Sequence, residues 1–297
     1  MPYAAATLRN SLSLLLWLTI GAGLFSPDGP AYQKSVEQWR QDYEAKLKAD
    51  DGWLTVSGLL WLHEGENSFG SAPGNDVVLP QPVPAKGGHF DLHAGKTTVH
   101  VNPGVPVTMG GKSVETAELR PDSKQDRLVL GDLTFFVHAT GGRFAIRLKD
   151  KNSKLRRDFK GLHWFPVNPS YRVDARFTPY SSPREVQIDT VLGDHDILMI
   201  VGAVTFTLRG RECKLEAEQE ASGNLFIVFR DLTSRTETYQ AARFLDTLPP
   251  SNGTVELDFN KAYNPPCAYN PYTTCPLPTP GNRLQMEIPA GEKRYHP

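Results

Sequence analysis

A mainly β fold follows from three observations in the sequence. Short runs of alternating apolar residues recur through most of the chain, the 25 Gly and 24 Pro are spread between them, and helical periodicity is confined to one segment near the N-terminus. The expected architecture is an N-terminal helix, a β-sandwich, and then a second antiparallel β sandwich or barrel domain. A length of 297 residues exceeds the usual size of a single core, which agrees with two domains.

The first element is the apolar run from Leu12 to Phe25, preceded by the single charge Arg9. About 14 residues is short for a membrane span, which needs roughly 20, and fits the apolar region of a secretory signal. Residues 1–25 are therefore expected to be a signal peptide or anchor, with cleavage just after Gly23. The expected localisation is exported, periplasmic or extracellular. The alternative is an uncleaved anchor, the one membrane association considered.

Over residues 32–50, Tyr32, Val36, Trp39, Tyr43 and Leu47 recur at three- and four-residue steps, predicting an amphipathic packing helix that ends at the Asp50, Asp51, Gly52 cluster. The same stripe would suit a helix that docks a partner. From residue 51 to 150 the pattern changes to short alternating runs such as TVSGLLWL, TTVHV, LVLG and LTFFVHA, separated by Gly, Pro, Asn and Asp, the signature of an antiparallel sandwich. Residues 151–160, in the charged stretch KDKNSKLRRDFK, suit a linker. Residues 161–297 return to strand-like runs, among them REVQIDTVL, ILMIVGAVTFTLRG, LFIVFRD and TVELDF, with Asn252-Gly253 as a hairpin turn.

Within residues 51–150 the order GENSFGSAPGNDVVLP, GVPVTMGGKSV, LVLGDLTFFV resembles the forkhead-associated domain. That resemblance implies a forkhead-associated-like sandwich, but the family's phosphothreonine ligands are missing. Ser71 stands after Gly70 where an Arg is needed, and the turn AKGGHFDLH has no serine before His89. A structural or protein-docking role is what remains for this unit.

Charge and motifs exclude several classes. The 32 basic and 33 acidic residues nearly cancel, which argues against a broad nucleic-acid surface, so no nucleic acid partner is expected. Gly110 to Ser113 reads as a hairpin turn and not a phosphate loop, because no glycine precedes it at the required spacing. His63-Glu64 lacks the second histidine of a zinc-protease helix, and no GxSxG elbow occurs. Asp189, Asp194, His195 and Asp196 read as turn acids. Zinc at Cys267 and Cys275 would need distant ligands, so no metal and no cofactor is expected. In an oxidising compartment Cys267 and Cys275 are the natural disulfide pair, with two buried thiols as the alternative. Cys213 is left as a small buried hydrophobe.

The blocks GLHWFPVNPSYRVDARFTPY, FRDLTSRTETYQAARFLD and LDFNKAYNPPCAYNPYTTCPLPTPGNRL, with GWLTVSGLLWLHEGENSFG, resemble the bacterial family known as domain of unknown function 1684, from about Asp51 to Lys293. Departures fall at Arg235, Lys261, Asn270, Thr273, Thr279 and Gly281. The resemblance brings no mechanism, so the site is sought among side chains. Asp231, Tyr239 and Arg243 lie on one passage, and Asp258, Asn260, Tyr263, Asn264 and Arg283 lie on the next passage and its loop. Alternation puts Asp258 and Asn260 on one face, and pairing of the two passages would bring Arg243 to them. One reading is a buried ion pair and hydrogen-bond network that fixes the loop. The other is a polar, aromatic pocket in the C-terminal domain that binds a small molecule or protein, with Tyr263, Tyr269 and Tyr272 offering ring faces. A hydrolase-like enzyme drawing on Asp231, Asp258, Cys267 or Tyr263, and a structural envelope-associated interaction protein, are the alternatives.

Overall fold

The computed structural model describes residues 29–295, so the Leu12 to Phe25 run lies outside the described residues. Helix α1 spans Pro30–Lys48 and buries Tyr32, Val36 and Leu47. Pro30 opens it, where the missing N–H costs nothing, and Lys46 and Lys48 sit in its last turn beside the free carbonyls. Among the described residues no helix is long and apolar enough to cross a membrane.

The N-terminal unit contains eleven strands: β1 (Val56–Trp61), β2 (Gly65–Gly70), β3 (Val77–Val78), β4 (Gly88–His93), β5 (Lys96–Val101), β6 (Thr108–Met109), β7 (Lys112–Ser113), β8 (Thr116–Leu119), β9 (Leu128–Leu130), β10 (Leu133–Thr140) and β11 (Arg143–Asp150). They form one sheet of order β1-β11-β10-β9-β6-β7 and another of order β3-β2-β4-β5-β8. Phe69, Phe90, Phe135, Val99 and Ile146 fill the core between them. The Gly110-Gly111 turn joins β6 to β7 with both glycines at positive φ, 56° and 79°, which is the hairpin expected there. On β11, Ile146 and Leu148 face this core, so alternation sends Ala145, Arg147 and Lys149 to the opposite face, where they are nonetheless buried.

The stretch expected as a linker carries a short helix, α2 (Lys154–Asp158), capped by the Ser153 hydroxyl. Arg156 ties it to the end of α1 through the Lys48 carbonyl and Asp50. The C-terminal unit follows with β12 (Arg172–Asp189), β13 (His195–Leu208), β14 (Arg211–Gln219), β15 (Leu225–Phe229), β16 (Arg243–Asp246) and β17 (Thr254–Asp258), in the order β16-β15-β14-β13-β12-β17. The Asn252-Gly253 turn forms, with φ of 50° and 74°. It does not pair β16 with β17, because β16 pairs only β15 and β17 pairs only β12, which places the two passages at opposite edges. The edges meet one step later: Tyr263 makes an antiparallel bridge to Phe244, curling the sheet into a half-barrel around Phe206, Leu215, Phe229, Leu257 and Phe259.

Arg243 points into that core and is fully buried. Its partner is Asp231, at 2.7 Å, and not Asp258 or Asn260. The guanidinium also donates to the carbonyls of Ile288 (3.1 Å) and Ala290, and lies 5.3 Å from the Phe229 ring. Asp231 in turn accepts from Thr233 N (2.8 Å), the Thr233 hydroxyl (2.6 Å) and Ile288 N (3.2 Å). Gly291, at φ 80°, lets the last segment approach: a Cβ there would stand 2.4 Å from Ala262 O and 2.9 Å from Arg243 Nη2.

Glu292 follows and is also buried, with no salt-bridge partner among the described residues. Its carboxylate accepts from Asn264 N (2.8 Å), Asn264 Nδ2 (2.7 Å) and the Tyr269 hydroxyl (2.7 Å), which anchors the proline-rich loop. Burial raises its pKa to about 7 from an ordinary 4.5, against the pull of those hydrogen bonds. The native state therefore holds a proton between pH 4.5 and 7 that the unfolded chain has lost, so stability should fall by up to about 3 kcal/mol as pH rises through that window. Glu292→Gln should flatten the fall in urea denaturation curves recorded across the same range. An unchanged slope would assign it to another group. Asp231→Ala, which leaves Arg243 buried without a counter-ion, should lose ~3–5 kcal/mol in the same measurement, and replacing both partners by apolar residues should recover much of it.

Candidate functional site

Where α1, the Arg147 face of the sandwich and the proline-rich loop converge, a cleft of about 750 Å³ opens. That volume is in the range used for small-molecule recognition. Its aromatic wall follows from the folding just described. Trp39 and Tyr43 come from successive turns of α1 and stack with ring centroids 5.4 Å apart. Tyr43 lies 4.9 Å from Tyr263, Tyr263 5.8 Å from Phe244, and Phe244 4.9 Å from Phe226. The barrel-closing Phe244–Tyr263 bridge thus also builds a continuous row of rings, and Trp53 stands on the sandwich side.

The polar groups are few. Asp42, Asp51 and Asp246 lie on the cleft wall with Lys46. Asp246 accepts from the Tyr263 hydroxyl at 2.9 Å, and burial raises its carboxyl above the ordinary value. Thr273, Thr274 and Cys275 line the loop side. Arg147 lines the floor and is only 5% exposed, yet its Nε and Nη2 have no hydrogen-bond partner among the described residues. Burial pulls its guanidinium below the ordinary value, with Asp122 and Cys275 acting in the opposite direction. Among the described residues no cluster of three or more His, Cys, Asp or Glu is placed to hold a metal ion.

Of the ligand-binding residues singled out from sequence, Tyr263 alone lines this cleft, together with Cys275 of the expected disulfide. Asp258 and Asn260 moor α1: Asp258 Oδ1 accepts from the Tyr32 hydroxyl at 2.8 Å, and Asn260 Nδ2 donates to the same oxygen of Tyr32 at 2.9 Å. Arg40 reinforces the mooring by donating to the carbonyls of Asn260 and Phe165, each at 3.1 Å. Asn264 is held by Glu292, and Asp231 by Arg243. The Tyr239 hydroxyl donates to Cys267 O at 3.2 Å, and Arg283 donates to Pro278 O from an exposed position. Asp189 pairs with His195 at 2.9 Å and Asp194 with Arg143 at 2.5 Å, as turn acids on the β12–β13 hairpin. Tyr269 is turned to Glu292, and Tyr272 is exposed outside the cleft wall.

The expected Cys267–Cys275 disulfide is not formed: all three cysteines are free thiols, none at bridging distance from another. Instead Cys275 Sγ accepts the Cys267 N–H at 3.3 Å. Hydrogen bonding from Cys267 lowers the Cys275 thiol and raises that of Cys267. Cys213 is half-buried against the barrel core, 3.6 Å from Met286 Sδ.

Sequence reading missed Arg147, Asp122, His138 and Thr274. Arg147 sits in RFAIRLKD, where alternation makes a charged residue look solvent-facing. The other three are joined only by tertiary structure.

The comparisons agree with the C-terminal signature. Residues 157–293 match a family described as a protein of unknown function, DUF1684, a narrower span than the Asp51 to Lys293 resemblance. No curated protein matches the chain. A solution NMR structure of an uncharacterised protein from Haloarcula marismortui is 36% identical, covering 46% of this chain and 78% of that one, with a TM-score of 0.40. The C-terminal unit is thus similar to the DUF1684 family of proteins of unknown function.

Proposed function

We propose that the protein binds a small amphipathic anion in the cleft between α1, the Arg147 face of the sandwich and the proline-rich loop. The observation that carries this reading is Arg147, a guanidinium buried in the cleft floor with two nitrogens lacking acceptors. Leaving two nitrogens of a buried guanidinium without acceptors, and with no carboxylate in salt-bridge contact among the described residues, costs free energy. A carboxylate, sulfonate or phosphate ester entering the cleft would supply the missing acceptors, and the planar fork of arginine suits two-oxygen anions.

The rest of the cleft constrains the ligand's body. The row Trp39, Tyr43, Tyr263, Phe244, Phe226 favours an aromatic or apolar moiety. Asp42, Asp51 and Asp246 around it disfavour polyanions, so a single negative charge fits best. This is a ligand-binding role at a location shared by both units, and not one confined to the C-terminal domain.

Anilinonaphthalene sulfonate is an aromatic anion of suitable size and reports binding by its fluorescence. Wild-type protein should bind it, and Arg147→Met should weaken binding roughly tenfold, equivalent to about 1.4 kcal/mol. The neutral analogue N-phenylnaphthylamine should bind both proteins alike. Equal binding of the sulfonate to wild type and variant would overturn the reading, as would failure of either dye to bind.

A further inference from the structure

Beside Arg147, three side chains from distant parts of the sequence form a hydrogen-bonded chain. Asp122 lies in the turn between β8 and β9, and its Oδ1 is 2.8 Å from His138 Nδ1, with Oδ2 at 3.1 Å. His138, on β10 and buried, presents Nε2 to the Thr274 hydroxyl at 2.9 Å. Thr274 lines the cleft. Burial by itself would raise the Asp122 carboxyl, but hydrogen bonding and charge from His138 hold it below its ordinary value. A carboxylate there accepts from Nδ1–H, and in the neutral imidazole Nε2 then offers its lone pair to the threonine hydroxyl.

This is the arrangement that activates a hydroxyl nucleophile: a carboxylate fixes the tautomer and orientation of an imidazole, whose other nitrogen takes the hydroxyl proton. Two further features fit acyl transfer. Among the described residues the backbone N–H groups of Thr274 and Cys275 have no protein acceptor. Asp122 itself is held at φ 55°, so the orienting carboxylate sits on a left-handed backbone fixed by its own N–H to Val137 O at 2.8 Å. Cys275 is a poorer candidate despite its thiol, because it is buried, already accepts the Cys267 N–H, and has no imidazole in contact.

We propose that the protein hydrolyses carboxylic esters bearing an anionic group, with Thr274 as nucleophile, His138 as general base and then acid, and Asp122 as a positioning residue. The proposal rests on the cleft reading, in which Arg147 holds the anion and the rings hold the body of the substrate. Thr274 Oγ1 forms a bond to the ester carbonyl carbon as its proton passes to His138 Nε2. The tetrahedral intermediate then expels the alcohol, which takes that proton. Water, deprotonated by His138, attacks the acyl-threonine ester, and the proton returns to Thr274 as the acid leaves. The sum is ester plus water giving acid plus alcohol, with no oxidant or cofactor consumed.

The test uses the full chain and mono-p-nitrophenyl succinate, an activated ester with a carboxylate at its far end. Wild type should release p-nitrophenolate in a burst followed by turnover, and intact mass with peptide mapping should place one succinyl group on Thr274. Thr274→Val should lose at least ~100-fold in turnover and all of the adduct, while remaining folded by circular dichroism. Thr274→Ser should stay active, and Asp122→Asn should lower kcat with KM unchanged. An adduct on Cys275 or Cys267, or a Thr274→Val variant that turns over like wild type, would overturn the proposal. No turnover together with Arg147-dependent dye binding would sink the hydrolase and leave the binding reading standing. Loss of that dependence would sink both.

Discussion

The buried Arg243–Asp231 pair is the constraint on which the C-terminal unit depends. A guanidinium inside an aliphatic and aromatic core has to be neutralised and given acceptors, and few chain paths can do that. Asp231 supplies the charge, and the Ile288 and Ala290 carbonyls supply acceptors, so the final segment is drawn across the end of the half-barrel. Gly291 permits the close pass, and Glu292 then reaches Asn264 and Tyr269. The proline-rich loop is fixed by those contacts, and that loop is one wall of the cleft.

Helix α1 is positioned by the same network from the other side. Tyr32, Arg40 and Tyr43 bond to Asp258, to the Asn260 carbonyl and to the Asn264 carbonyl, so the helix that contributes Trp39 and Tyr43 to the ring row is registered against β17 and the loop. The two units are joined as well by the His138–Thr274 hydrogen bond. Arg147 differs from Arg243: Arg243 leaves only Nε without an acceptor and has Asp231 as counter-ion, whereas Arg147 leaves both Nε and Nη2 without one among the described residues. One buried arginine is committed to the fold, and the other is the group on which the proposed ligand site rests.

Local features were legible in the sequence because local chemistry determines them. The three- and four-residue spacing over Tyr32 to Leu47 gave the helix, and Gly110-Gly111 and Asn252-Gly253 gave turns whose positive φ suits those residues. The importance of the Leu257 to Leu284 block and of Arg243 was legible too. Pairing was not: a hairpin turn between β16 and β17 suggested that they are neighbours, but the edges of a six-stranded curled sheet are set by long-range order that no local motif encodes. For the same reason Arg243 was given the wrong partner. The cleft was less legible still, since Asp122, His138 and Thr274 are 16 and 136 residues apart and come together only when both units are folded.

If Arg147 is kept for a ligand and not for the fold, the stability of Arg147→Met must show it. Methionine retains much of the apolar stem and removes the unpaired charge. Urea denaturation without ligand should find the variant as stable as wild type or up to about 1 kcal/mol more stable, the pattern of a residue held at a cost for function. A loss of ~3 kcal/mol or more would contradict the account, because it would place Arg147 among the groups that hold the fold together.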